Sequence, residues 1–388
     1  MRKNQMRLWS LATVLTAVFA VQSCSSDDED PIPAPTPVGI ATNPADFKGE
    51  VRAGETVTLD ATKVYTLTGA VAVKDGGKLI IPAGTRINAT GGTSAYITVE
   101  QGGQIFANGT ATNPVVFSSA NATPGAWGGL VLCGRAPINK SIPATAEVGG
   151  AQYGGTNPAD NSGSLTYVRI ENAGAIFTAD KEFNGLSLFG VGNATKIDNV
   201  SMINGSDDGI EFFGGTVNVS NIISVGNEDD AFDWTEGWNG TATNVYTKRR
   251  ANGIGNRGIE ADNNSNNNDA NPRSNPTIKN ATFIGANTGG ETDGIKLRVG
   301  THGTLDNIVL SGWATGFNFE HDATVTYFNG GNKITNVKFD NITKEASAKA
   351  SDGSSVTVKA NTYTVNATAN GAGNGTATPS WAAGWAGI

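Results

Sequence analysis

A run of carboxylates at regular spacing is the feature of this sequence with the clearest chemistry. A short motif, a turn followed by a strand of alternating apolar residues, recurs six times, and its copies begin at Asn184, Asp208, Asp230, Arg257, Asp293 and Thr315. If the copies stack, the residue between the two apolar positions of each strand points outward and forms a column. That column reads Ser187, Glu211, Asp233, Glu260, Lys296 and Asn318.

Three consecutive members of this column, Glu211, Asp233 and Glu260, are acidic. Stacked side chains lie about 5 Å apart, and like charges at that distance raise one another's pKa or recruit a cation. Ca²⁺, which takes six to eight oxygen ligands in flexible geometry, fits such a column, with Asp208 and Asp230 in the turns beside it. Three interpretations are therefore open: a merely solvated acidic face, a site at these three residues for Ca²⁺ or a basic ligand, and a set of catalytic carboxylates.

Aromatic residues stand next to the acidic column. Phe189 and Phe213 belong to the neighbouring outward column, and Trp238 follows in the next turn. Apolar rings beside hydrogen-bond acceptors suit a sugar ring, so we expect these three residues to bind a ligand. The alternative is that long loops from residue 143 to residue 161 cover the rings.

Two alternating repeats indicate the fold that positions these side chains. The second repeat is an Asn before an apolar residue, at Asn199, Asn221, Asn244, Asn280, Asn307 and Asn336. Several steps are 22 residues, which suits a coil of strands and turns that climbs about 4.8 Å per turn. The pattern predicts an all-β protein, a right-handed parallel β-helix, with an internal ladder of Asn amides.

The pattern also divides the chain into segments. We expect a signal peptide over residues 1–23, an acidic and Pro-rich tether over 24–45, the β-helix over 46–345 and a cap over 346–388. Within the β-helix, the polar run from Asp262 to Asp269 should loop out. In the last segment, Trp381 and Trp385 should cover the open end of the solenoid.

The amino-terminal residues predict export. Basic residues precede an uncharged run, Leu8 to Val21, that is too short and too polar to span a bilayer and stops just before Cys24. Cys24 is where a lipoprotein signal places its acylated cysteine, and the acidic tract behind it resembles the surface-export signal of Bacteroidetes lipoproteins. The resemblance implies a protein of the cell outer membrane, facing outward and held by its lipid alone.

The net charge limits the class of binding partner, and the cysteine count limits the disulfide bonds that the chain can form. The formal charge of −8 becomes about −11 without the leader, which argues against nucleic acid. Once Cys24 is lipidated, Cys133 is the one remaining thiol, so no intrachain disulfide is expected. The oligomeric state is not indicated.

Several longer stretches resemble one family. They are Ala126 to Asn139, Tyr153-Gly154-Gly155, Asp207 to Thr216, Asp233 to Trp238 and the closing Trp381 to Trp385. Together they resemble a family of Bacteroidetes β-helix lipoproteins over most of the mature chain. The resemblance implies a pectin-lyase-like fold and a surface location, and little about activity.

A catalytic interpretation is also open. Polygalacturonase-like hydrolases use Asp residues on successive rungs and then a basic strand, and the stretches around Asp208, Asp230 and Lys296-Leu297-Arg298 are similar. The similarity is partial, because the rung that should supply a His carries Arg257 instead. A pectate-lyase-like reaction would use Lys296 or Arg298 as its base.

Ion pairs explain the same bases without catalysis: Glu260 would meet Lys296, and Asp262 and Glu320 would flank Arg298. We therefore expect a non-catalytic surface lipoprotein that binds a glycan or a surface protein, with Ca²⁺. The alternatives are a β-helix polysaccharide lyase or glycoside hydrolase, and a structural or adhesive envelope protein.

Overall fold

The computed structural model describes residues 43–289 and 291–388. The predicted signal peptide, Cys24 and the tether up to residue 42 lie outside the described residues. No helix among the described residues is long and apolar enough to cross a membrane.

Short strands make up almost all of the regular structure. The first half of the described chain contains β1 (Phe47–Val51), β2 (Thr56–Thr58), β3 (Val64–Val73), β4 (Lys78–Pro82), β5 (Arg86–Ala89), β6 (Ile97–Val99), β7 (Gln104–Asn108), β8 (Val115–Ser119), β9 (Leu130–Cys133), β10 (Ala144–Thr145), β11 (Gln152–Tyr153), β12 (Gly163–Glu171), β13 (Ile176–Thr178) and β14 (Lys181–Glu182). The second half contains β15 (Leu186–Phe189), β16 (Lys196–Ile203), β17 (Ile210–Phe213), β18 (Val219–Val225), β19 (Phe232–Thr235), β20 (Thr241–Lys248), β21 (Ile259–Ala261), β22 (Thr277–Ile284), β23 (Asp293–Leu297), β24 (Thr304–Ser311), β25 (Thr315–Glu320), β26 (Ile334–Asp340), β27 (Lys344–Lys349) and β28 (Tyr363–Val365). One α-helix, α1 (Asp322–Phe328), and a 3₁₀ turn (Ser380–Ala382) complete the described elements.

Twenty-four of the strands form one parallel network that wraps around a central core. From β15 onward each strand pairs with the strand two places along the chain, as β15 does with β17 and β16 with β18. Such pairing requires a coil of two strand segments per turn, which is consistent with a right-handed β-helix. The all-β, parallel β-helix prediction is therefore confirmed, while β10–β11 and β13–β14 are two antiparallel hairpins outside the coil.

The coil has three faces, because the long strand of each turn contributes one half to face 1 and the other half to face 2. Face 1 contains β2, β4, β7 and the first halves of the long strands from β12 to β26. Face 2 contains β5, β8 and the second halves of those long strands. Face 3 contains β6, β9, β15, β17, β19, β21, β23, β25 and β27.

The recurring Asn residues form the corner between faces 1 and 2. All six adopt positive φ angles between +54° and +59°, a region that Asn tolerates better than most residues. The Nδ2 of Asn244 donates to Oδ1 of Asn221 at 2.9 Å, and Asn280 donates to Asn244 at 3.2 Å. Asn307 donates to Asn280 at 2.9 Å, so the predicted amide ladder is confirmed across four rungs.

The predicted inward positions of face 3 are all buried, and they form one core with the inward residues of the other faces. They are Leu186, Leu188, Ile210, Phe212, Phe232, Trp234, Ile259, Ala261, Ile295, Leu297, Phe317 and Phe319. Alternation along each strand places one apolar pair per rung inside the coil, where burying apolar surface stabilises the stack.

The carboxyl-terminal segment differs from the prediction. Strands β27 and β28 continue the coil beyond residue 345. Trp381 and Trp385 do not cover the open end, because they pack on the outside of face 2 with Ile223 and Tyr246. Arg169 holds this segment by donating from Nη2 to the carbonyl oxygen of Trp385 at 2.8 Å. The indoles thus shield outward apolar residues in the middle of the coil.

Candidate functional site

The register of face 3 assembles the acidic column. Glu211 pairs with Asp233, and Asp233 pairs with Glu260, on adjacent strands. Carboxylate oxygens of Asp208, Glu211 and Asp233 lie within 4.8 Å of one another, as do those of Asp230, Asp233 and Glu260. Residues from three consecutive rungs therefore converge at one place.

The electrostatics of this cluster are unfavourable when every carboxyl group is ionised. Burial, and then neighbouring carboxylates, raise the pKa of Asp208, Glu211 and Asp233 well above their ordinary values. Burial and Glu260 raise the pKa of Asp230 to about 7, against the opposing effect of Arg257. The Oδ1 atom of Asp233 is buried and has no hydrogen-bond partner among the described residues. The cluster holds more negative charge than its protein partners compensate.

The two turn carboxylates, Asp208 and Asp230, have structural partners. Oδ1 of Asp208 accepts the backbone N–H of Asp230 at 2.9 Å, and Oδ1 of Asp230 accepts that of Arg257 at 2.6 Å. Both side chains are buried. As catalytic candidates they are therefore placed inside the turns and not on an open surface.

The basic candidates are engaged in ion pairs, with partners that differ from the prediction. Lys296 approaches Glu320 at 3.7 Å and makes no ion pair with Glu260. Arg298 contacts Glu260 and bonds Asp262 from Nε at 2.7 Å, so only its pairing with Asp262 is as predicted. Arg257 also reaches Glu260, at 2.5 Å. Arg257 contacts Glu260 from the same rung and Arg298 from the next, so two forked guanidinium groups occupy the carboxylate that was expected to meet Lys296.

An insertion, residues 134–161, covers part of the column. Its β11 residue Tyr153 donates from the hydroxyl to Oε2 of Glu236 at 2.5 Å, and its Lys140 pairs with the same carboxylate. Burial and Glu236 raise the pKa of Tyr153. Glu260 and Asp262 keep only 13% and 15% of their side-chain surface exposed, so the ion pairs here are largely buried and this part of the column is not a merely solvated face.

The proposed aromatic platform lies under this insertion. Phe189 and Phe213 stack with ring centroids 4.0 Å apart, Tyr153 packs on Phe189 at 5.0 Å, and both phenylalanines are buried. Trp238 is fully buried in the core, stacked on Phe212 at 3.9 Å. The prediction that these three residues bind a ligand on an open face is wrong. For Phe189 and Phe213 the structure shows the alternative, a cover formed by the loop from residue 143 to residue 161, because strand alternation identifies outward positions and not what covers them. Trp238 lies in the core instead of on the outer face.

The polar run from Asp262 to Asp269 lies in the loop between β21 and β22, as predicted, with Ser265, Asn266, Asn267 and Asp269 exposed, but two of its residues pack. Asn263 is fully buried, and its Oδ1 accepts Nδ2 of Asn139 at 2.9 Å. Asn264 donates in turn to Oδ1 of Asn139 at 3.0 Å. Side-chain amides satisfy one another and fasten this loop to the insertion, which is why so polar a segment can pack.

Sequence reasoning missed Asp207, Asp229 and Glu147. Asp207 and Asp229 are partly exposed on adjacent rungs, with carboxylate oxygens within 4.8 Å of each other and of Asp208. Burial, Asp229 and Glu182 raise the pKa of Asp207 to about 8. The doublets Asp207-Asp208 and Asp229-Asp230, 22 residues apart, were a visible signal.

Glu147 belongs to the insertion and follows no repeat, so nothing in its spacing marked it. Its charge helps to raise the pKa of Glu211. We call the set Glu147, Asp207, Asp208, Glu211, Asp229 and Asp233 the acidic basin.

Comparison with known proteins supports the fold. No curated protein matches this sequence. One solved structure, the crystal structure of the enzymatically active domain of Bacteriophage CBA120 tailspike protein 2, is 12% identical and covers 77% of this chain. This chain spans 42% of that domain, and at a TM-score of 0.25 the likeness says nothing further about it. The sequence pattern of the pectate-lyase-like β-helix domain matches residues 49–386, and the chain belongs to that family.

Proposed function

We propose that this protein is a non-catalytic, extracellular β-helix that binds Ca²⁺ in the acidic basin and a glycan on its outer surface. The observation that carries the cation site is the buried Oδ1 of Asp233, which has no partner among the described residues and lies among other carboxylates.

The donor set of the basin fits a hard cation. Among the described residues, Asp208, Glu211 and Asp233 make no ion pair within 4.0 Å, although Asn184 donates to Glu211 at 2.8 Å. Ionised carboxylates are acceptors only, so stacking them leaves oxygen lone pairs that a cation can satisfy. Ca²⁺ accepts six to eight oxygens in flexible geometry, and Glu211, Asp233 and Asp208 would hold it with Glu260 beside them.

Calorimetric titration of Ca²⁺ into the purified protein tests the site. Binding should be lost in Glu211→Gln/Asp233→Asn and kept in the charge-matched control Glu55→Gln/Asp352→Asn, in which Glu55 is half-buried, Asp352 is exposed and both are distant in sequence from the basin. Equal binding by both double variants, or no heat with the unmutated protein, would exclude the basin as a Ca²⁺ site.

The glycan is proposed to bind at an open groove on face 1. This groove has a volume of about 530 Å³, and its walls carry hydroxyl, amide and charged groups from Thr195, Lys196, Asp198, Asn218, Ser220, Thr241 and Thr243. Such groups match the alternating donors and acceptors of sugar hydroxyls.

Binding to a panel of polysaccharides tests this groove, and it should weaken in Thr241→Val/Thr243→Val. Absence of any glycan binding would favour a structural or adhesive role with a protein partner.

The location is proposed from the leader and Cys24. A lipid on Cys24 would hold the chain at the cell outer membrane, with the β-helix outside. Labelled palmitate should enter the unmutated protein and not Cys24→Ala, and protease added to intact cells should degrade it. Labelling of Cys24→Ala would refute the anchor.

A lyase or hydrolase is the second candidate, favoured by Asp207 and Asp229. A carboxyl group with a pKa of about 8 beside another carboxyl group is an arrangement suited to general acid and base work. Release of reducing ends from polysaccharides, abolished separately by Asp207→Asn and Asp229→Asn, would establish it. Lack of turnover on uronate and neutral polysaccharides would leave the binding role.

A further inference from the structure

A cavity of about 370 Å³ lies at the corner between faces 2 and 3, outside the acidic basin. It is built by loops that follow β20, β22, β24 and β26, on four successive rungs. The wall residues that matter here are Arg249, Asn287, Glu291, Trp313, Asn341 and Thr343. Its size falls in the range of small-molecule sites, and its wall is rich in hydroxyl and amide groups.

Arg249 is fixed in this wall with donors to spare. Its Nη1 donates to the carbonyl oxygen of Glu291 at 2.5 Å and its Nη2 to that of Gly253 at 2.8 Å. Its guanidinium carbon lies 5.7 Å from the centroid of the Trp313 ring. A guanidinium has five N–H donors, and here Nε is buried without a partner among the described residues.

The neighbouring charges leave Arg249 without a carboxylate of its own. The Glu291 carboxylate is bound by Nη2 of Arg257 at 2.8 Å. Within 4.0 Å of Arg249 no carboxylate oxygen is found among the described residues, whereas the adjacent Arg250 pairs with Glu228 at 2.7 Å. Two of the four Nη N–H groups of Arg249 have no partner among the described residues. A guanidinium held with free donors in a wall of hydroxyl and amide groups suits an oxyanion.

We propose that this cavity binds a hydroxylated ligand that carries an oxyanion, either a carboxylate or a sulfate ester on a sugar ring. Arg249 contacts the oxyanion, and Asn287, Asn341 and Thr343 contact the hydroxyl groups. This site goes beyond the proposed function, since it differs from the face 1 groove in place and from the acidic basin in offering a guanidinium to its ligand.

The test is saturation-transfer NMR and calorimetry on the full chain in chelator, with glucuronate, glucose 6-sulfate and glucose as probes. Glucuronate, glucose 6-sulfate or both should bind at least about tenfold more tightly than glucose, since a charge-assisted hydrogen bond is worth roughly 1.5–3 kcal/mol. Arg249→Gln should lose that preference, and the matched control Arg250→Gln should keep it.

A second variant guards against misfolding of Arg249→Gln, which also loses two bonds to carbonyl groups. Thr343→Val keeps the shape of the side chain and removes one hydroxyl, so it should weaken binding several-fold while the melting temperature stays within a few degrees. The probe that binds identifies the oxyanion.

Three results would overturn the proposal: glucose binding as tightly as its charged analogues, unchanged affinity in both variants, or no binding of any probe. None of these would affect the Ca²⁺ titration of Glu211→Gln/Asp233→Asn or the face 1 variants, so failure here is distinguishable from failure of the proposed function.

Discussion

The corner between faces 1 and 2 and the middle of face 3 stack like residues at the same spacing, with opposite consequences. At the corner, Asn244 donates to Asn221 and accepts from Asn280, so each amide satisfies the next. On face 3, Glu211 and Asp233 stack in the same way, but both are acceptors. One column neutralises its own polarity, and the other accumulates charge.

This difference separates a structural column from a functional one by chemistry alone. Amides carry donors and acceptors, so an amide ladder can extend over any number of rungs without a partner. Carboxylates need protons, basic side chains or a cation, and Arg257 and Arg298 supply only part of that need around Glu260. The uncompensated part lies at Glu211 and Asp233.

The largest expected effect is the response to pH of the carboxylate column together with Asp230, the carboxylate in the turn beside it. The pKa of Asp230 is about 7 in the folded chain, above its ordinary value, so its contribution to stability is present below about pH 4 and lost as the pH rises through 7. In chelator, the free energy of unfolding should fall by on the order of 3 kcal/mol between pH 5 and pH 8, measured by chemical denaturation. Asp233→Asn and added Ca²⁺ should each flatten this slope, and equal stability at both pH values would remove the contrast between the columns.

Breaking the amide ladder should cost somewhat less. Asn244→Ala removes one hydrogen-bond partner from Asn221 and one from Asn280 and places Ala at a φ angle of +59°, so it should lower the free energy of unfolding by about 2 kcal/mol. The control Asn266→Ala, in an exposed loop, should change it by less than about 0.5 kcal/mol. Denaturation at one fixed pH measures both, and similar losses would show that the ladder contributes nothing special.

The insertion, residues 134–161, which covers part of the acidic column, is held by Tyr153. Tyr153→Phe leaves Glu236 without that bond and should cost about 1–2 kcal/mol, with faster hydrogen exchange in residues 134–161. Tyr363→Phe removes a comparable bond to Glu345 on an exposed surface and is the matched control, expected within about 0.5 kcal/mol. Unchanged exchange in the insertion would mean that its other contacts hold it in place.

The smallest effect is expected at the basic end of the column. Lys296 is 3.7 Å from Glu320 and does not pair with Glu260, so Lys296→Met should change the free energy of unfolding by less than about 1 kcal/mol. Denaturation at low and high salt measures this. A loss above about 2 kcal/mol would show that Lys296 compensates the acidic column after all.

The local sequence pattern was sufficient to predict the coil, but it was insufficient to predict which residues of the candidate site are covered or paired. The 22-residue repeat and strand alternation gave the inward residues of face 3, the Asn ladder and the stacking of Glu211, Asp233 and Glu260, because each follows from neighbours in the same strand or on the next rung. The burial of Phe189 and Phe213 and the packing of Asn263 and Asn264 did not follow from the pattern, because both depend on an insertion that obeys no repeat. The pairing of Glu260 with Arg257 and Arg298 was missed for a related reason, since side-chain reach is not encoded in strand register.

The sequence by itself determined the all-β class, the period of the coil, which residues face the core and which carboxylates stack, because these depend on interactions that repeat along the chain. Only the tertiary structure decided that the aromatic column is buried, that Trp381 and Trp385 lie beside the coil, and that Arg249 faces a cavity without a carboxylate. Those outcomes depend on contacts between segments far apart in the sequence, where burial, charge and hydrogen bonding are set by packing and no local period records them.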